Sequence, residues 1–204
     1  MKVPFLSSLL LLCFLIIGGC ASHDETSKPQ DFVGLSGKHA EEAEMAFAKA
    51  YVLWHGYRPS HLQNSRACVN PAKAVELLSE AIAHSQDFHE AFAYRARAYK
   101  DLEQYDKAFA DINTALRSHT TPDYLALRAS ISLLQKHLVL AQQDIDEVFG
   151  LDDEHAIAWL YQGELYQVRG EQKLACKSFT TACSYGECSG LQKAQANGYC
   201  PHND

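Results

Sequence analysis

The sequence predicts an all-α fold, an α-solenoid of about four helical hairpins with a disulfide-stapled C-terminal capping helix. Three observations carry this. Small residues recur at Ala74, Ala108, Ala141 and Ala175, at intervals of 34, 33 and 34. A second series, Ala96, Ala129 and Gly163, repeats at 33 and 34. Four of the seven cysteines, Cys176, Cys183, Cys188 and Cys200, crowd into the last 29 residues. Periods of this length mark an array of one supersecondary unit, and a lone helical hairpin cannot bury its own apolar face.

The 204 residues are 47% hydrophobic and 21% charged, enough apolar material for one short array. A formal net charge of −7 argues against a nucleic-acid binder, which needs a basic stripe.

Residues 1–19 read as a leader. Lys2 precedes an apolar run from Phe5 to Ile17, too short for a membrane span and right for a signal-peptide core. It ends in Ile17-Gly18-Gly19-Cys20, which resembles the lipobox of bacterial lipoproteins. The resemblance implies cleavage before Cys20, lipidation of its thiol, and three acyl chains of the palmitate kind, enough for stable anchoring. A plain secretory signal with a chance cysteine is the alternative. Ala21 and Ser22 follow, without the Asp that retains enterobacterial members in the inner membrane, so the resemblance implies the outer membrane, facing the periplasm. Residues 20–38 are polar and rich in Gly, Pro and Ser, and read as a flexible tether.

The hairpins are expected at about 39–88, 89–121, 122–155 and 156–189. In the first, the second helix is clear from Pro71 to Ile82. Its first helix is expected from His39 to about Trp54, with Ala48 and Tyr51 at the key positions. From Tyr51 to Ala74 is 23 residues, whereas Tyr99 to Ala108 is 9, so an insertion of about 14 residues separates the two helices. Loops of that length are often functional, and a surface elaboration is the alternative. The second hairpin carries Phe92, Ala96, Tyr99, Tyr105, Ala108 and Ile112. The third opens at Pro122, where a proline starts a helix at no hydrogen-bonding cost, and has Ser132 where an aromatic is usual. Arg95 and Arg128 recur at equivalent places, which predicts a structural role with the stem packed and the guanidinium at the surface. The fourth, Ala156 to Ala182, turns at Arg169-Gly170-Glu171 and carries Trp159, Gly163, Tyr166, Ala175, Phe179 and Ala182.

These positions resemble the tetratricopeptide repeat (TPR), and the resemblance covers residues 39–189. It implies a right-handed superhelix whose first helices line a concave groove for peptides or protein partners. Its groove positions fall on Ala93, Arg97, Lys100 and Asp101, then Ala126, Ser130 and Leu133, then Leu160, Glu164 and Gln167. That set is mixed in charge and lacks the row of Lys and Asn of a clamp for a terminal carboxylate.

Residues 190–204 supply the cap and tail, with a short helix from Ser189 to Asn197 stopped by Gly198. Cys176 and Cys183 lie two turns apart on one helix, about 10.5 Å, too far to bond each other. If the cap folds back antiparallel, Cys183 meets Cys188 and Cys176 meets Cys200. Other pairings and a four-cysteine zinc site remain as rivals; no CxxC knuckle is present. Cys68 is left over, and its state is open.

No Walker loop, dinucleotide turn, GxSxG or HExxH occurs among the scattered histidines, so no cofactor, metal or enzyme activity is expected. The expectation is a non-catalytic lipoprotein that scaffolds or assembles an envelope complex (secretion, pilus or cell-wall machinery), with a protein or peptide in its groove. The alternatives are an accessory regulator of an envelope hydrolase, or a metal- or thiol-dependent enzyme using His55, His61 and Cys68.

Overall fold

Helix starts are written into the chain by caps and prolines. Pro71 and Pro122 occupy the first turns of their helices. Ahead of them, Asn70 Oδ1 accepts from the Lys73 amide and Thr121 Oγ1 from the Tyr124 amide, both at 3.1 Å. His155 plays the same part through Nδ1, accepting from the Ala158 amide at 3.2 Å.

The computed structural model describes residues 40–55 and 68–201, with the side chains of residues 54 and 55 left aside. The leader, Cys20, the tether, most of the inserted loop and the last three residues lie outside the described residues. The helices are α1 (Ala40–His55), α2 (Pro71–His84), α3 (His89–Asp101), α4 (Tyr105–Ser118), α5 (Pro122–Leu134), α6 (Leu138–Leu151), α7 (Ala156–Val168), α8 (Gln172–Ser184) and α9 (Ser189–Ala196). Among the described residues there is no strand, and no helix is long and apolar enough to cross a membrane.

Each helix packs on its sequence neighbours, giving four antiparallel pairs, α1/α2 to α7/α8. First helices also touch one another, α3 on α5, α5 on α7 and α7 on α9, so they form one continuous inner row. The turns inside the last three pairs share one geometry. Glu103, Lys136 and Gly170 are left-handed, at φ 58°, 60° and 78°. The next amide then reaches back five residues, Gln104 to the Tyr99 carbonyl, His137 to Ser132 and Glu171 to Tyr166, at 2.8–2.9 Å.

The core follows the small-residue series. Ala74, Ala108, Ala141 and Ala175 are fully buried, as are Ala96 and Ala129. In α1 the register differs from the expectation: Ala48 is exposed, and Ala43, Ala46, Phe47 and Ala50 are buried instead. That i, i+3, i+4, i+7 set is the stripe a helix needs to face a neighbour. Phe47 anchors it, with ring centroids 4.9 Å from Phe88 and 5.2 Å from Tyr94.

Arg95 and Arg128 also depart from the expectation, because their guanidinium groups face inward. Arg95 Nε donates to Asp111 Oδ2 at 2.7 Å and Nη2 to Oδ1 at 2.9 Å. Arg128 Nη2 donates to Asp144 Oδ1 at 2.6 Å and Nε to Oδ2 at 3.0 Å. The free corner of each fork reaches the preceding hairpin, Arg95 to Ser79 Oγ at 3.1 Å and Arg128 to Asn113 Oδ1 at 2.9 Å. With Asp111 and Asp144 buried, each arginine must be paired rather than left in solvent.

The C-terminal end is closed by α9. Cys176 bonds Cys200 and Cys183 bonds Cys188, with Cα separations of 5.6 Å and 4.0 Å. Gln172 Nε2 on α8 donates to the Tyr199 carbonyl, tying down the segment that returns after Gly198. Phe179 fills the space between α7 and α9. A Cβ at Gly163 would lie 2.5 Å from its ring, and one at Gly190 would lie 2.7 Å from it and overlap Leu160 Cδ1. Both positions therefore need glycine for the close approach.

Candidate functional site on the inner face

The inner row of first helices is the surface on which the sequence placed a partner. Helical spacing puts Ala93, Arg97, Lys100 and Asp101 on one stripe of α3, Ala126, Ser130 and Leu133 on α5, and Leu160, Glu164 and Gln167 on α7. The structure divides this set. Ala93, Ala126, Ser130, Leu133 and Leu160 are buried. Ser130 Oγ donates to the Leu127 carbonyl at 2.8 Å, and Leu133 packs with Ala129, Ala141, Ile145 and Leu165. Leu160 packs on Ala194 and Phe179, beneath the cap helix. These residues belong to the core beneath the face.

The polar members stand above that core. Gln167 is exposed, and Arg97, Lys100 and Glu164 are half-buried. The Arg97 guanidinium lies over the Tyr94 ring, 5.3 Å from its centroid. Burial pushes the Tyr94 hydroxyl up to about 12, with Arg97 pulling the other way. Asp101 is engaged by the chain itself: its Oδ2 accepts from the Cys68 amide at 2.8 Å. That bond ties the return from the inserted loop onto α3, so Asp101 serves the fold.

Glu164 on α7 is also perturbed. Burial holds its carboxyl above the ordinary range, while Lys193 and Lys100 pull it down. Lys193 belongs to α9 and was missed by the sequence reading. The signal was present, since Lys193 follows Leu160 by 33 residues, one repeat further along the inner row.

At the start of the same helices lies a second polar group. His89 Nδ1 and Tyr124 Oη are 3.1 Å apart, the His89 and His119 rings stack at 5.1 Å, and His155 Nε2 is 3.2 Å from Asp123 Oδ1. Among the described residues, no three His, Cys, Asp or Glu side chains are grouped to hold a metal ion. Of the His55, His61 and Cys68 constellation, only the Cys68 side chain is described. It is buried and takes part in neither disulfide.

Solved structures place this architecture. YrrB, described as a TPR protein with an unusual peptide-binding site, superposes with a TM-score of 0.52 at 16% identity, covering 72% of this chain and 70% of that one. The fold is that of a TPR solenoid. MamA from Desulfovibrio magneticus RS-1 shares it with a TM-score of 0.55 at 16% identity, over 72% of this chain and 76% of that one. So does a chain of the APC/C hetero-tetramer Cut9–Hcn1, with a TM-score of 0.61 at 18% identity over 72% of this chain. The match spans only 26% of that longer chain. Neither a protein-family model nor a curated protein sequence matches the chain. In TPR terms α3, α5 and α7 are the first helices of their hairpins, and α9 continues their row.

Proposed function

We propose that this protein is a non-catalytic interaction scaffold of the cell envelope. It holds a protein or peptide segment against the concave face and serves the assembly of an envelope complex such as secretion, pilus or cell-wall machinery. The observation that carries this is the division of the inner face. Half-buried and exposed polar groups, Arg97, Lys100, Glu164 and Gln167, stand on a row of first helices whose small and aliphatic residues are packed into the core, and such a rigid row of polar groups can orient an extended chain by hydrogen bonds and charge. The peptide-binding site reported for YrrB supports the reading by analogy of fold. The Ile17-Gly18-Gly19-Cys20 box supports acyl attachment and anchoring at Cys20, and Ala21 and Ser22 after it support the outer membrane, facing the periplasm. The two disulfides support an oxidising compartment.

A photo-crosslinking residue at Gln167 or Lys100, in cells, tests the binding face against a control at Glu147 on α6. Crosslinks to one defined protein from the inner positions alone are expected. Equal capture from all three positions, or from none, would sink the assignment. Acyl labelling that persists in Cys20→Ala would remove the anchor.

A further inference from the structure

We infer that His155 is a proton-operated joint, which seats the start of α7 while its ring is neutral and releases it when the ring is charged. This property belongs to the array itself and is independent of what the concave face binds.

The joint is built at a capping position. Phe88, Thr121 and His155 precede the first helices of three successive hairpins, at intervals of 33 and 34. Phe88 makes no side-chain cap, whereas Thr121 Oγ1 and His155 Nδ1 each accept from the amide three residues on. A hydroxyl keeps its lone pairs at every pH. A ring nitrogen keeps its lone pair only while it carries no proton.

The two contacts of the ring fix its tautomer. The Ala158 amide is a donor, so Nδ1 holds the lone pair, and Nε2 carries the hydrogen and donates to Asp123 Oδ1 at 3.2 Å. The neutral ring therefore ties the first turn of α7 to the first turn of α5. A proton at Nδ1 turns that acceptor into a second donor, facing the Ala158 N–H at the positive end of a helix. The Ala158 amide also reaches the His155 carbonyl at 3.0 Å, so protonation unseats the ring while one bond of that amide remains. The charge gains little at Asp123, because that carboxylate is 76% exposed, whereas the His155 side chain is 12% exposed.

Further titratable groups lie on the elements around the ring. They are Tyr124 on α5, Asp144 and Glu147 on α6, Asp152, Asp153 and Glu154 in its own turn, and Tyr185 and Glu187 after α8. Asp144 is held by Arg128, Asp152 accepts the Glu154 amide, and Glu187 accepts from Ser189. Burial keeps the Tyr124 hydroxyl protonated well above the ordinary range. These groups bear on the charge of the ring, and the cap decides what that charge does. Trp159 stands beside the joint, its Nε1 donating to the Asp153 carbonyl at 2.8 Å, so its indole senses the same turn.

The test is amide hydrogen exchange on the full-length protein in detergent, read by NMR at about pH 7.5 and about pH 5 and corrected for intrinsic rates. The Ala158 amide is expected to exchange about threefold faster at the lower pH, relative to the Tyr124 amide, whose cap is Thr121. His155→Asn supplies a capping acceptor that does not titrate, and is expected to remove the step while keeping Ala158 protected at both pH values. His155→Ala is expected to show the faster rate at both. Trp159 emission should follow the exchange in the unsubstituted protein and stay constant in His155→Asn. An acid step that survives in His155→Asn overturns the inference, as does equal acceleration at Tyr124. Unchanged or greater protection of Ala158 at the lower pH overturns it as well, in favour of an ion pair with Asp123 that takes over from the cap.

Discussion

Gly163 and Phe179 show how one repeat can depart from its neighbours and still pack. The equivalent pairs in the two preceding hairpins are Ala96 with Ile112 and Ala129 with Ile145, all fully buried. In the last hairpin the second-helix residue is larger and the first-helix residue is smaller, so the interhelical volume is conserved. Gly163→Ala alone is expected to cost about 2 kcal/mol, because the new methyl falls 2.5 Å from the Phe179 ring. Adding Phe179→Ile should recover about half of that loss, read as a positive coupling in urea denaturation. Additive losses would refute the compensation. Glu164 supplies a pH-dependent case. Its folded pKa lies above the ordinary value of 4.5, so its favourable contribution exists at low pH and is lost as pH rises through the folded pKa. Glu164→Gln should therefore raise the Tm at pH 7 by about 2 °C, with no gain below about pH 4. A gain that persists in acid would point to packing instead.

At the scale of elements, the two Arg–Asp pairs join α3 to α4 and α5 to α6, and each arginine also reaches the hairpin before it. Asp144→Ala leaves the Arg128 guanidinium in a largely enclosed site without its partner, and should cost about 3 kcal/mol. Asp144→Ala combined with Arg128→Leu should lose less than the single change, because no uncompensated charge remains. If the double variant is the weaker one, the pair contributes more than charge balance. In the fourth hairpin the same positions hold Gln162 and Ser178, both buried, and Gln142 Nε2 donates to Gln162 Oε1 at 3.2 Å in place of the fork. The small-residue rulers were legible in sequence because close helix approach tolerates so few side chains. The carboxylate partners were not, since a separation of 16 matches no period within one helix. They become visible only when Arg and Asp are both seen to recur 33 residues on. The α1 register failed for a related reason: the insertion breaks the ruler, and Ala48 looked as small as Ala50. Of the proposed binding face, the stripe on α3, α5 and α7 was readable. Lys193 was not, because the count of first helices stopped at the last complete hairpin.

For the whole molecule, a linear array means that each hairpin is held mainly by its neighbours, so stability declines toward any open end. The cap and its two bonds counter this at α9. Cys176→Ser with Cys200→Ser should leave the α3–α6 amides protected in hydrogen exchange while α9 and the end of α8 exchange far faster. It should also lower the Tm by several degrees, since a link closing 24 residues restrains the unfolded chain by about 3 kcal/mol. Uniform loss of protection would show instead that the array unfolds as one unit.

The two bonds differ in what they require of the chain. Cys183 and Cys188 are 5 residues apart and can meet as soon as the end of α8 has turned. Cys176 and Cys200 meet only after α9 has lain down over Phe179 and the chain has doubled back past Gly198. A chain with the short loop closed and two reactive thiols is thus a recognisable half-matured species, and thiol trapping during biogenesis would time the moment at which the C-terminal end of the array is closed.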